Sequence, residues 1–247
     1  MKYLDMKKVG ALALGLVAFA PAAMAQDEVE TTVAADVVNQ YIWRGQDLGN
    51  VSLQPTLGIG YKGLSLTAWG SVGLSKWEDT KEFDLTLAYT TGGFTIGVTD
   101  YWFNNGDGRY FEYASGKTAH TFEAHAGYDF GPLALDWYTN FAGSDGHNKS
   151  GKRAYSSYVE LSAPFKLGGC EWSAAIGAVP YATDFYYGHK DAEDNNLPTG
   201  FAVTNVSLKA TKDIKITDSF SGPVFAQVAA NPSSEKAYLV VGFTLQP

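Results

Sequence analysis

The sequence is short of cysteine, of charge and of long apolar runs. Cys170 is the only cysteine among 247 residues, so neither an intrachain disulfide nor a Cys-rich tetrahedral zinc site can form. Asp, Glu, Lys and Arg make up 18% of the chain, below the roughly 25% usual for soluble domains. A formal net charge of −8 with no basic stripe argues against a nucleic-acid partner, because phosphate backbones demand clustered Lys and Arg. Past residue 25 no apolar run reaches the about 18 residues of a membrane-crossing helix, which excludes a polytopic helical membrane protein. No motif calls for a cofactor or a metal ion. The composition argues against low-complexity disorder as well, since 14% of the residues are Phe, Trp or Tyr and unfolded chains are poor in aromatics.

What is present begins with an export segment. Lys2, Lys7 and Lys8 precede an apolar stretch over 9–20, and Ala23-Met24-Ala25 follows it. This pattern predicts a secretory signal peptide over 1–25 cleaved at an A-x-A site, and a single domain over 26–247. Export implies periplasmic chaperones and the barrel-assembly machinery as partners during biogenesis, if the mature chain is a barrel.

The mature chain alternates. Val51, Leu53, Pro55, Leu57, Ile59 and Tyr61 share one parity, and Ser52, Gln54, Thr56, Gly58 and Gly60 the other. Successive strand side chains point to opposite faces, so such a segment has one apolar and one polar face. The pattern restarts after Lys62-Gly63, Thr91-Gly92-Gly93, Gly131-Pro132, Gly168-Gly169 and, less regularly, Lys212-Asp213. With an opening strand over 32–43 it gives about twelve strands. Longer polar loops, over 45–50, 76–81, 104–118, 143–153, 183–200 and 231–236, alternate with these short turns.

Short turns at one end, longer loops at the other and an even strand number predict an all-β, transmembrane, antiparallel up-and-down β-barrel of the bacterial outer membrane, with periplasmic turns and extracellular loops. The competing architecture, a soluble β-sandwich, would have shorter strands and bury the apolar face between two sheets. Aromatics at the ends of the apolar faces, among them Tyr41, Trp43, Tyr61, Tyr89, Phe94, Trp102, Tyr128 and Trp172, suit girdles at two lipid interfaces. The polar face carries the candidate pore-lining residues Asp36, Arg44, Glu82, Asp84, Glu123, His125, Asp136, Glu160 and Lys209. Asp100 is the misfit. Extending its strand in register puts it on the lipid face, so either a bulge near Thr99 rephases the strand or Asp100 lies beyond the hydrocarbon.

The run Asn39-Gln40-Tyr41-Ile42-Trp43-Arg44-Gly45-Gln46-Asp47 resembles the Y-x-x-R-G-x-S signature of a TorF-like family of bacterial porins. Tyr41, Arg44 and Gly45 match it, and Asp47 stands where that family has Ser. The resemblance implies an outer-membrane barrel of transport function, with no substrate attached.

Other constellations point less clearly to chemistry. Ser144-Asp145-Gly146-His147 holds the residue types of a hydrolytic triad, but neighbours in one loop rarely reach triad geometry. Glu123 and His125, two apart on the inward face, suit a hydrogen-bonded pair or a metal. The acidic stretches at Asn104 to Gly108 and Asp191 to Asn196 suit Ca²⁺ or solvated turns, and Tyr110, Phe111, Tyr113, Phe185, Tyr186 and Tyr187 put aromatics in two loops. Inward glycines such as Gly58, Gly73, Gly97 and Gly177 leave room in the lumen. The function read first is a non-enzymatic passive channel for small hydrophilic solutes, bathed by outer-membrane lipid and weakly cation-preferring. A structural or adhesive barrel with a filled lumen is second, and a hydrolase third.

Overall fold

The computed structural model describes residues 28–76, 78–104, 108–186, 200–215 and 221–247. The signal segment, Tyr187, the acidic stretch at 191–196 and the core of the 104–108 stretch lie outside the described residues. The strands are β1 (Glu30–Val38), β2 (Tyr41–Trp43), β3 (Gln46–Gly49), β4 (Ser52–Tyr61), β5 (Leu64–Gly73), β6 (Glu82–Thr91) and β7 (Phe94–Phe103). They continue as β8 (His120–Asp129), β9 (Ala134–Gly143), β10 (Ser157–Leu167), β11 (Cys170–Val179), β12 (Ala202–Lys215), β13 (Ser221–Asn231) and β14 (Lys236–Leu245). No helix occurs among the described residues.

β1 and β4 to β14 form a closed antiparallel barrel of twelve strands, as the alternation predicts. Each strand pairs with the next, and β1 closes the ring on β14 through pairs from Ala35 with Leu245 to Val38 with Gly242. Tight turns hold the register. Lys62 and Gly63 both have positive φ, 51° and 84°, the two-residue geometry whose twist matches the flanking strands. Rows of outward side chains run unbroken from strand to strand, for example Ile59, Leu66, Leu87, Val98 and Ala124. Leu57, Leu66, Leu87, Ile96 and Val228 are about half exposed, whereas Asp36, Glu82, Glu123 and Glu160 are buried. The molecule is thus apolar outside and polar inside, the reverse of a water-soluble protein.

Four expectations need correcting. The opening strand leaves the wall at Val38 rather than at Trp43, so Tyr41 and Trp43 are not at a lipid interface but buried inside, 2% and 7% exposed. Asn39 makes this departure possible, since its side chain continues the ladder on β14, accepting from Val241 N (2.7 Å) and donating to Leu239 O (3.1 Å). Residues 45–50 are likewise not a plain loop, because they contain β3. Lys212 and Asp213 make no turn. They continue β12, paired with Val224 and Pro223 of β13, in a ribbon that runs on past the end of β11. Finally, β7 holds its register through Asp100, opposite Leu85 and Phe122, so no bulge near Thr99 rephases it. The irregularity lies one strand on, between Phe122 and Glu123. Asp100 stays on the outer face and meets its cost through His120, whose Nδ1 lies 2.7 Å from its Oδ1.

Candidate functional site

β2 and β3 pair only with each other and join no barrel strand. Arg44 and Gly45, both at positive φ (50° and 79°), form the two-residue turn between Trp43 and Gln46, a left-handed pair that suits a tight hairpin. The turn is wedged into the interior. A methyl group at Gly45 would overlap the Thr204 carbonyl on β12, and the Gly45 carbonyl accepts from Asn231 Nδ2 at 3.1 Å.

From this turn Arg44 reaches the opposite wall. Its Nη1 and Nη2 donate to Glu123 Oε2 (2.6 Å) and Oε1 (3.0 Å), and Nη1 also donates to the Tyr186 hydroxyl at 2.6 Å. Tyr101 donates to Glu123 Oε1 at 2.8 Å, so this carboxylate takes three donors. The guanidinium carbon sits 4.1 Å from the Tyr138 ring centroid, 4.4 Å from Trp43, 4.7 Å from Tyr158 and 5.8 Å from Tyr186. A planar cation with a fixed fork suits both the bidentate carboxylate and the ring faces, which a lysine could not engage together. Burial alone pulls the Arg44 guanidinium down, but Glu123 and the surrounding phenols outweigh it and hold it well above its usual value. Burial raises the Tyr186 phenol above its ordinary range, against the pull of Arg44.

Two further contacts complete the fastening. Tyr41 donates to Glu82 Oε2 at 2.9 Å and packs against Trp69 at 5.6 Å. On the far side Ile42 joins Val38, Phe225, Ala229 and Val240 in a buried apolar cluster against β13 and β14. The hairpin therefore bridges the lumen from the β13–β14 wall to Glu123 on β8.

The candidate pore-lining residues all lie inside, in different company. Arg44 is inward because it sits on the hairpin, and not because it extends β1. Glu123 pairs with Arg44 and not with His125. Asp36 accepts from Thr244 (2.6 Å), Lys209 lies over the Phe225 ring at 4.1 Å, and Glu160 accepts from Tyr158 at 2.6 Å opposite Asp136 on β9. Asp84 stands between Trp69 and Tyr101 in the ladder. The glycines do not open the lumen as expected. The Tyr158 ring lies where a side chain at Gly177 would be, and His125 does so at Gly97 and Asp79 at Gly73.

Residue patterning singled out neither Tyr101 nor Tyr158, although both follow the inward parity of their strands. Tyr186 was unreachable by periodicity, because it lies outside any strand and folds inward to 1% exposure. In the triad-like loop, Asp145 Oδ1 accepts from Asn140 Nδ2 (3.1 Å) and Gly146 N (2.8 Å), while His147 N donates to Asp184 (2.6 Å). These are loop-capping bonds.

No family model and no curated protein matches the chain, so the TorF-like resemblance rests on its motif, whose Tyr41, Arg44 and Gly45 are the residues that fasten and turn the hairpin. Two solved structures are similar in outline. One is an outer membrane channel from Pseudomonas putida F1, 13% identical over 98% of each chain, with a TM-score of 0.37. The other, from work on the in-meso crystallisation of membrane proteins, is 8% identical over 88% of this chain and 83% of that one, with a TM-score of 0.44. Neither bears on function.

Proposed function

We propose that this chain is an outer-membrane barrel that passes small hydrophilic solutes passively, with the β2–β3 hairpin as a constriction held shut by Arg44. The observation that carries the reading is the combination of an apolar outer wall, a polar inner wall and a hairpin that crosses the lumen without entering any barrel ladder. An apolar exterior over strands of about ten residues is what a bilayer accepts. A hairpin fastened by side chains moves without breaking wall hydrogen bonds, whereas a wall strand does not. Both barrel ends, at Glu30 and Leu245, lie with the short turns, the side assigned to the periplasm.

The burial of Arg44 and Glu123 favours a second reading, a structural barrel with a permanently filled lumen. Planar-bilayer recording of the purified protein separates the two. Brief openings from a mostly closed baseline support a channel. Folded protein that never conducts, even when the hairpin is loosened, supports the filled barrel.

The open pore is expected to prefer cations. Arg44 and Glu123 offset one another, which leaves Asp36, Glu82, Asp84, Asp136 and Glu160 facing Lys209. Carboxylates lining a pore favour cations, modestly here, because a wet lumen screens charge over about 8 Å at physiological salt. The reversal potential in a potassium chloride gradient reads this directly, and anion selectivity would refute it.

A further inference from the structure

The connection after β7 turns outward rather than over the mouth. Phe83, Trp102 and His120 are cross-strand neighbours on β6, β7 and β8, and all three share the outward parity of the apolar belt. Tyr110 covers this row, with ring centroids 5.7 Å from Phe83, 5.4 Å from Trp102 and 5.1 Å from His120. Tyr113 stacks on His120 at 4.6 Å. Residues 110–113 therefore lie on the outside of the wall.

One side chain fastens them there. His120 is completely buried, and each of its ring nitrogens faces an acceptor, Asp100 Oδ1 on the wall at 2.7 Å and the Tyr110 carbonyl of the loop at 2.5 Å. A ring with a nitrogen on each of two edges can bridge a wall carboxylate and a loop carbonyl at once, donating to one of them in its neutral form and to both as an imidazolium. The clamp leaves Phe111 edge-on to Tyr110 at 5.1 Å and 86% exposed, with Tyr113 53% exposed beside it. Arg109 and Lys117 are exposed on either side, while Glu112 is turned back onto the Ala114 amide at 3.0 Å.

We infer that this loop is a lipid clamp: His120 pins it to the outer wall so that Phe111 and Tyr113 seat in the headgroup boundary of the leaflet on the long-loop side, with Arg109 and Lys117 toward its phosphates. The partner follows from continuity, because the covered row Phe83, Trp102 and His120 is the next row above Leu85, Asp100 and Phe122, where two apolar side chains of the belt flank the carboxylate that His120 caps. Aromatic rings flanked by cations are the usual composition of that boundary. The assignment rests on the membrane reading above, and its test separates the two.

Two single-cysteine proteins in a Cys170→Ala background, Phe111→Cys and Leu87→Cys, carry nitroxide labels in vesicles of phosphatidylcholine and phosphatidylglycerol. Accessibility to oxygen, which concentrates in lipid, is compared with that to a water-soluble nickel chelate. Both labels are expected to favour oxygen, Leu87 more strongly. A nickel-accessible label at 111 with an oxygen-accessible label at 87 overturns the clamp and leaves the membrane barrel standing, whereas nickel access at both overturns the barrel's membrane placement. Spin–spin broadening at 111 would assign the patch to a second copy instead and also overturn the inference. His120→Ala is expected to move the 111 label into water. Asp100→Asn, a milder change, should do so in part and decides the matter if the alanine variant fails to fold. No shift in either folded variant would contradict the role of His120.

Discussion

Arg44→Ala is expected to convert a mostly closed pore into a mostly open one. The substitution removes both hydrogen bonds to Glu123, the bond to Tyr186 and the cation from among four rings. It also strands Glu123, 1% exposed, without its counter-charge. Breaking a buried ion pair by deleting one partner costs about 3–5 kcal/mol, and each 1.4 kcal/mol is about tenfold in an equilibrium. The closed-to-open ratio should therefore fall about 100-fold or more, seen as a large rise in open probability in single-channel recordings. Adding Glu123→Ala should restore part of the lost stability, because the double variant buries no unpaired carboxylate; a double-mutant cycle on thermal unfolding measures this. Unchanged current with a lower melting temperature would reduce Arg44 to a brace.

Gly45→Ala should open the pore by an independent route, with every charge in place. Its φ of 79° belongs to the left-handed region, where a β-carbon costs roughly 1–2 kcal/mol. The added methyl would also overlap the backbone carbonyl of Thr204, which lies at the irregularity of β12, between the Val203 and Asn205 pairs with β11 and ahead of the first β13 pair at Val206. A backbone carbonyl tethered by paired residues on either side along its strand gives way less readily than a side-chain tip, so the hairpin turn is expected to withdraw, carrying Arg44 away from Glu123. Because β2 and β3 pair with no wall strand, the circular dichroism of the barrel should stay unchanged while conductance rises. Closed recordings identical to the unaltered protein would show that the turn is not what blocks the lumen.

The wall was legible because alternation is a local signal repeated strand after strand: Leu64 to Leu74 and Phe94 to Val98 each declare their outer face without knowing their neighbours. The same local rule failed at the plug. Tyr41 and Trp43 alternate just as a wall strand does, and period two cannot tell a strand of the barrel from a short hairpin folded inside it. The available cues were chemical, namely Asn39-Gln40, which interrupts the apolar alternation, and Arg44-Gly45, a pair suited to a two-residue turn. Glycine was misread for a related reason. Gly97 and Gly177 do vacate space, but only the fold shows that His125 and Tyr158 occupy it. Asp100 looked like an error of register until His120, twenty residues on, supplied its partner across β7 and β8.

The central claim is that the β2–β3 hairpin, and nothing in the wall, closes the lumen. Replacing residues 41–49 with a short glycine-serine linker tests it most directly, since the wall strands β1 and β4 remain intact on either side. Single-channel recording of that protein in a planar bilayer should show a steady, large, cation-preferring conductance with few closures. A folded barrel that still fails to conduct would contradict the account and leave the filled, structural barrel as the function.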